Sequence, residues 1–235
     1  MHLQPPRPYD PSTIVDTIEK KAITLLNCTP SAFYPIIEEC NKIKQLQSLR
    51  FVFLGGEPIN VTRLIKVVEN NKNTVIVNTY GPTECSDISC TYVISKDDIY
   101  NKIMLPIGRP IPNTFITILN EHKQFVPFGE VGEIYIGGVG VGGGYINHSN
   151  LTKNIFIENP YERIGGKLYK TGDLGKYLST GEVECVGRED EQIKLRGQRI
   201  EILEIENCIM DYPDVKQATV VVKNEDQENK YITGY

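Results

Sequence analysis

The sequence has 235 residues, 30 acidic against 25 basic side chains and 40% apolar content, enough for one large or two small packed domains and too ordinary for a disordered or fibrous chain. A formal net charge of -5, with both signs spread along the chain, leaves no basic stripe for nucleic acid and no polybasic membrane tether. No apolar stretch approaches the roughly 20 residues that span a bilayer, and the opening MHLQPPRPYD has no signal-peptide pattern, so a cytoplasmic protein without membrane or nucleic-acid partners is expected.

The first predicted element is a short amphipathic helix, with Asp10 as N-cap, Pro11 in the first turn, and Ile14 and Ile18 one turn apart. An apolar run from Ala22 to Leu26 follows, and Thr29-Pro30 opens a second helix carrying Phe33, Ile37 and Cys40. A strand from Phe51 to Leu54 ends at Gly55-Gly56. A third helix, with Leu64, Ile65, Val67 and Val68, leads to a strand from Val75 to Val77. Apolar strands alternating with helices predict a parallel sheet covered on both faces. After about Leu105 the pattern changes to short alternating strands, 115–119 and 133–136, which predict a small antiparallel barrel or sandwich. From Asp190 a charged strand (192–196), a helix with Ile202, Ile205 and Ile209, and a strand from Ala218 to Val222 follow, with a polar loop over 224–230. The expected units are therefore 1–104, 105–189 and 190–235.

Six cysteines without a CxxC pair and three scattered histidines argue against zinc, and the thiols read as reduced core filler. Chemistry is expected instead at the carboxyl ends of the parallel strands, where open α/β sheets bind ligands. One such end is Leu54-Gly55-Gly56-Glu57. The other, Asn78-Thr79-Tyr80-Gly81-Pro82-Thr83-Glu84, sets an aromatic, a hydroxyl and a carboxylate around a Gly-Pro turn, groups suited to a base, a phosphate oxygen and a hard cation.

Four stretches, NTYGPTE, GEIYIGGVGVGGGY, YKTGDL and GREDEQIKLRGQRIEILEIE, stand in an order and spacing that resemble the adenylation domains of non-ribosomal peptide synthetases, in the superfamily of acyl-CoA synthetases and luciferases. LLNCTPSAF, LRFVFLGGEPI and IGRPIPNT extend the resemblance from about Pro6 to Tyr235. It implies a partial α/β subdomain, a β-barrel-like subdomain and the start of an α+β C-terminal lid. It also implies activation of an amino-acid carboxylate by ATP and Mg2+, with release of pyrophosphate and transfer to phosphopantetheine on a carrier protein domain beside neighbouring synthetase domains. Carried over by position, Tyr80 packs on adenine with Asn78 at its edge and Gly81 in the turn, Thr83 meets the α-phosphate and Glu84 holds magnesium. Asp173 takes both ribose hydroxyls, Arg188 lies against ribose or phosphate, Asp190 is the lid hinge, and Gly197 belongs to a loop that faces the site during thioester formation. Asn27, Val52, Leu54, Thr79, Asp87 and Ile88 fall on the substrate side-chain pocket.

Departures from the pattern are Gly142-Gly143 in place of Ala-Arg, Leu203 in place of Gly, and Cys185 in place of an aromatic. The phosphate loop, the Asp that grips the substrate amino group and the terminal lid Lys have no counterpart among these residues. The expectation is therefore a partial domain, working with the N-terminal half of the same domain and inactive alone. An acyl-CoA synthetase, a D-alanine-carrier-protein ligase and a non-catalytic remnant are the alternatives.

Overall fold

The computed structural model describes residues 10–39, 43–71, 73–102, 104–161, 166–190, 192–223 and 230–235. Cys40 and most of the 224–230 loop lie outside them.

Helix α1, Pro11–Lys21, begins where Asp10 accepts hydrogen bonds from the backbone N–H groups of Ser12 and Thr13, and it buries Val15 and Ile18. It ends at Ala22, whose left-handed backbone caps it. That cap takes Ala22 out of the apolar run 22–26, and β1 is Leu25–Cys28. Then come α2 (Pro30–Glu39), β2 (Phe51–Gly55), a 3-10 turn at Val61–Leu64, α3 (Ile65–Asn70), β3 (Val75–Tyr80), β4 (Cys90–Val93), α4 (Lys96–Asn101) and β5 (Arg109–Pro110). These strands form one sheet in the order β1-β2-β3-β4-β5. Within it β1, β2 and β3 run parallel, whereas β4 and β5 are antiparallel. The expected coverage of both faces is partial among the described residues: β3 is buried on both, with Val77 6% exposed on the Phe51 side, but β1 and β2 are not. Val52 and Leu54 are sealed under the helices, whereas Leu25 is 49% and Phe51 37% exposed on the other side.

The second sheet is built from β6 (Thr114–Leu119), β7 (Gly132–Gly138), β8 (Phe156–Glu158), β9 (Lys167–Tyr177) and β10 (Val183–Arg188), with α5 (Ser149–Ile155) between β7 and β8. It runs β10-β9-β7-β6, all antiparallel, with β8 also on β9. Its core is Ile116, Ile118, Ile134, Ile136, Phe156, Tyr169 and Val183, joined to Tyr80 and Cys90 from the first sheet and Cys85 from the turn between β3 and β4. One apolar cluster thus fixes the two sheets against each other. Two bulges interrupt the pairing, one between Glu133 and Tyr135 against β9 and one between Cys185 and Gly187 in β10. The remaining elements are the hairpin β11 (Ile193–Leu195) and β12 (Gln198–Ile200), helix α6 (Ile202–Met210), and the antiparallel pair β13 (Val220–Lys223) and β14 (Tyr231–Gly234). Among the described residues no helix is long and apolar enough to cross a membrane.

Candidate functional site

The register of the parallel strands brings Cys28, Leu54 and Asn78 level, with Gly55 opposite Thr79 one step further. A cavity of about 350 Å³ opens just beyond these strand ends. Asn27, Cys28 and Thr29 line it from β1, Gly55 and Gly56 from β2, and Thr79, Tyr80, Gly81, Pro82, Thr83 and Asp87 from β3 and its turn. The strand β3 runs through Tyr80, so the aromatic is its last residue rather than part of the turn beyond it. Gly81 lets the chain fold back on itself: a Cβ there would overlap the Asp87 carbonyl.

The opposite wall comes from the second sheet, through Thr171, Asp173 and Arg188. Asp173 lies inside the eleven-residue β9, at the bulge where Gly172 has φ +71°. The Thr171 hydroxyl donates to the Ile134 carbonyl and accepts from the Asp173 N–H, which locks the bulge and turns the carboxylate inward. Arg188, the last residue of β10, stands directly opposite it on the neighbouring strand, brought into register by the second bulge.

Three segments converge on this carboxylate. The Tyr80 hydroxyl donates to Asp173 Oδ2 at 2.6 Å, and Arg188 Nη1 donates to Oδ1 at 2.7 Å. Arg188 also holds Asp190 through two bonds of 2.7 and 2.8 Å. Burial, helped by the adjoining Asp173 charge, pushes the Tyr80 phenol well above its ordinary value, so it stays a neutral donor. Hydrogen bonding from Arg188 outweighs burial and holds the Asp190 carboxyl low. Each Asp173 oxygen has a second lone pair, so the carboxylate can still accept from a diol placed in the cavity.

Glu84 stands beside the cavity, at the short 3-10 turn Thr83–Cys85. Its Oε1 accepts from the Tyr145 hydroxyl at 2.7 Å and from Arg199 Nη1 at 2.9 Å. Tyr145 is steadied by edge-on packing on Phe156, which packs in turn on Tyr169. Burial would raise the Glu84 carboxyl, but the Tyr145 hydroxyl and the Arg199 charge leave it below the ordinary value. Its Oε2 is buried with no hydrogen-bond partner among the described residues. An ionised carboxylate with one buried, unpartnered oxygen fits a hard divalent cation. No group of three or more His, Cys, Asp or Glu side chains gathers for a metal among the described residues, so such an ion would need oxygens from a bound phosphate and water.

Of the sequence-predicted residues, Asn27, Thr79, Tyr80, Gly81, Thr83, Asp87, Asp173 and Arg188 meet at the cavity. Asn78 does not; its amide donates to the Pro106 carbonyl at 2.8 Å. Val52 and Leu54 are fully buried in the core, because strand alternation points them away from the side that Gly55 presents. Ile88 is half-buried outside the cavity wall, and Asp190 reaches the site only through Arg188. Gly197, expected in a loop that faces the site, is also in the lining, and the structure adds Thr29, Gln192, Lys194 and Arg199. For Gln192, Lys194 and Arg199 the signal in the sequence was the charged run from Arg188 to Arg199, which composition alone reads as a solvated face. The described thiols are free, and burial pushes Cys28, Cys85 and Cys90 up to about 12 and Cys185 to about 11, consistent with packing rather than nucleophilic roles.

The AMP-binding enzyme family matches residues 1–146. The chain belongs to that family. Gramicidin S synthase 2 of Aneurinibacillus migulanus is 40% identical over 226 residues, covering 96% of this chain and 5% of that protein. Surfactin synthase subunit 3 of Bacillus subtilis (strain 168) is 38% identical over 227 residues, covering 96% of this chain and 17% of its own length. Among solved structures, holo-PA1221, an NRPS protein containing adenylation and PCP domains bound to a vinylsulfonamide inhibitor, superposes with a TM-score of 0.88 at 28% identity. That match covers 97% of this chain and 39% of the other. The artificially fused adenylation-PCP di-domain NpsA-ThdA from Klebsiella oxytoca gives 0.84 at 30% identity, over 98% of this chain and 42% of the other. The fold is that of peptide-synthetase adenylation domains. The chain spans under half the length of each of these proteins.

Proposed function

We propose that this chain is the second part of an adenylation domain, which in its whole protein activates an amino-acid carboxylate with ATP and hands the acyl group to phosphopantetheine on a carrier domain. The observation that carries this reading is the meeting of Tyr80, Asp173 and Arg188, from segments 93 and 15 residues apart, over one cavity at the parallel strand ends. A carboxylate there suits a ribose diol, and Tyr80 beside it presents an aromatic edge for a base. Thr83 at the cavity rim would donate to the α-phosphate, and Arg188 adds positive charge on the same side. Glu84 would hold the magnesium ion, which when bound offsets phosphate charge. The substrate carboxylate oxygen would bond to the α-phosphorus as the bond to pyrophosphate breaks. Acceleration would come from holding these groups in line and from charge already in place.

Asn27, Thr79 and Asp87 would contact the amino-acid side chain. Residues 1–104, 105–189 and 190–235 would be the partial α/β subdomain, the barrel-like subdomain and the start of the lid, turning at Asp190. Gly197 in the cavity wall favours the lid arrangement of thioester formation. A cytoplasmic setting with neighbouring synthetase domains follows from the same reading. The test is amino-acid-dependent pyrophosphate exchange by the whole protein over a panel of amino acids. Exchange is expected for a narrow set of amino acids, with none from the 235-residue chain alone; exchange by the short chain would contradict the reading of it as partial.

A further inference from the structure

The hairpin β11–β12 is anchored at two points of different character. Its turn residue Gly197, at φ +74°, donates its N–H to Glu57 Oε1, and a Cβ there would overlap the Thr29 methyl group. Glu57 is itself set by the Ser31 N–H at the start of α2, 3.0 Å from Oε2. The second anchor is a charge: Arg199 reaches Glu84 Oε1 across 115 residues of sequence. Glu84 is the side chain with the buried, unpartnered oxygen, and the carboxylate to which the proposed function assigns magnesium. Among the described residues Arg199 is held by carboxylates and a phenol, at Glu84, Glu201 and Tyr169. Its guanidinium thus brings one positive charge to the carboxylate that a divalent ion would use, and two cations on one carboxylate repel each other.

We propose that Arg199 is a positioning residue that stands in for the divalent cation on Glu84, so that the hairpin seats fully on the cavity only when this carboxylate carries no metal. The proposal rests on the reading of Glu84 as the metal ligand. It orders the two halves of the reaction: the ion, leaving with pyrophosphate, frees the carboxylate that then docks the hairpin. By linkage the effect is reciprocal, since a seated hairpin must weaken cation binding by the same factor as the cation weakens seating.

The test uses the full 235-residue chain with Mn2+ and AMP as probes, bound ion being read from loss of the free-ion paramagnetic resonance signal. Arg199→Ala is expected to bind Mn2+ about fivefold more tightly than the unmodified chain, the size of one partly exposed ion pair. Arg199→Lys, which keeps the charge, is expected to restore the weaker binding, an outcome a merely structural role would not produce. In parallel, Mg2+ with AMP is expected to speed amide exchange over 193–200 in the unmodified chain and not in Glu84→Gln. If Arg199→Ala binds Mn2+ no more tightly while Glu84→Gln loses it, the competition is overturned and Glu84 remains the metal ligand. If Glu84→Gln leaves Mn2+ binding unchanged, the metal assignment fails and the competition with it.

Discussion

Asp173 is the residue on which the nucleotide reading turns, and the structure sets what its loss should do. The residue is 8% exposed, and its carboxylate binds a buried phenol at 2.6 Å and a guanidinium at 2.7 Å. Asp173→Asn keeps the shape, removes the charge, and leaves Tyr80 and Arg188 with a weaker acceptor. Each charge-assisted bond is worth about 1.5–3 kcal/mol, but Arg188 keeps its two bonds to Asp190, so the expected destabilisation is about 2–3 kcal/mol. Urea unfolding of Asp173→Asn, Tyr80→Phe and the double variant would isolate the Tyr80 pair, with an expected coupling of about 1.5 kcal/mol or more. The binding role is separable from the structural one in a domain extended to full length. There AMP should bind on the order of a hundredfold more tightly than its 2′,3′-dideoxy analogue, from about 3 kcal/mol in two hydrogen bonds to the diol, and Asp173→Asn should abolish most of that preference. A variant that weakens both nucleotides equally would show Asp173 shaping the site without touching ribose.

Glu84→Gln in the whole protein should keep the fold and lose most of the pyrophosphate exchange rate; near-normal exchange with a lowered melting temperature would make Glu84 a structural carboxylate. Asp87 lies at the cavity with an exposed side chain at φ +76°, so Asp87→Ala should change the preferred amino acid in the exchange panel by about tenfold. An unchanged preference would remove Asp87 from the substrate pocket. Asp98 in α4 should supply a pH-dependent part of stability. Although burial opposes it, bonding to Lys102, Ser95 and Tyr92 lowers its carboxyl from 3.8 to about 2. A depressed carboxyl stabilises above its unfolded value and loses that contribution as pH falls through about 2. Asp98→Asn should therefore cost up to about 2 kcal/mol in urea unfolding near neutral pH, with the difference shrinking below pH 4.

Local chemistry was legible in the sequence wherever the decisive contacts are local. Asp10 capped its helix because the partners are two and three residues away, and the strands at 51–54, 115–119 and 133–136 formed nearly where their patterns placed them. Tyr80, Asp173 and Arg188, which the motifs singled out, line one cavity. What only the tertiary structure decided depends on direction and on distant partners. A strand pattern does not state which face is covered, so Val52 and Leu54 went to the core and Leu25 and Phe51 stayed exposed. A bulge forms against a neighbouring strand, so nothing within YKTGDL could show that Asp173 sits in a kinked strand aimed at a phenol 93 residues earlier. Arg199 was one charge in a charged run until folding brought it 2.9 Å from Glu84, because the reach of an ion pair is set by position in space and not by spacing along the chain.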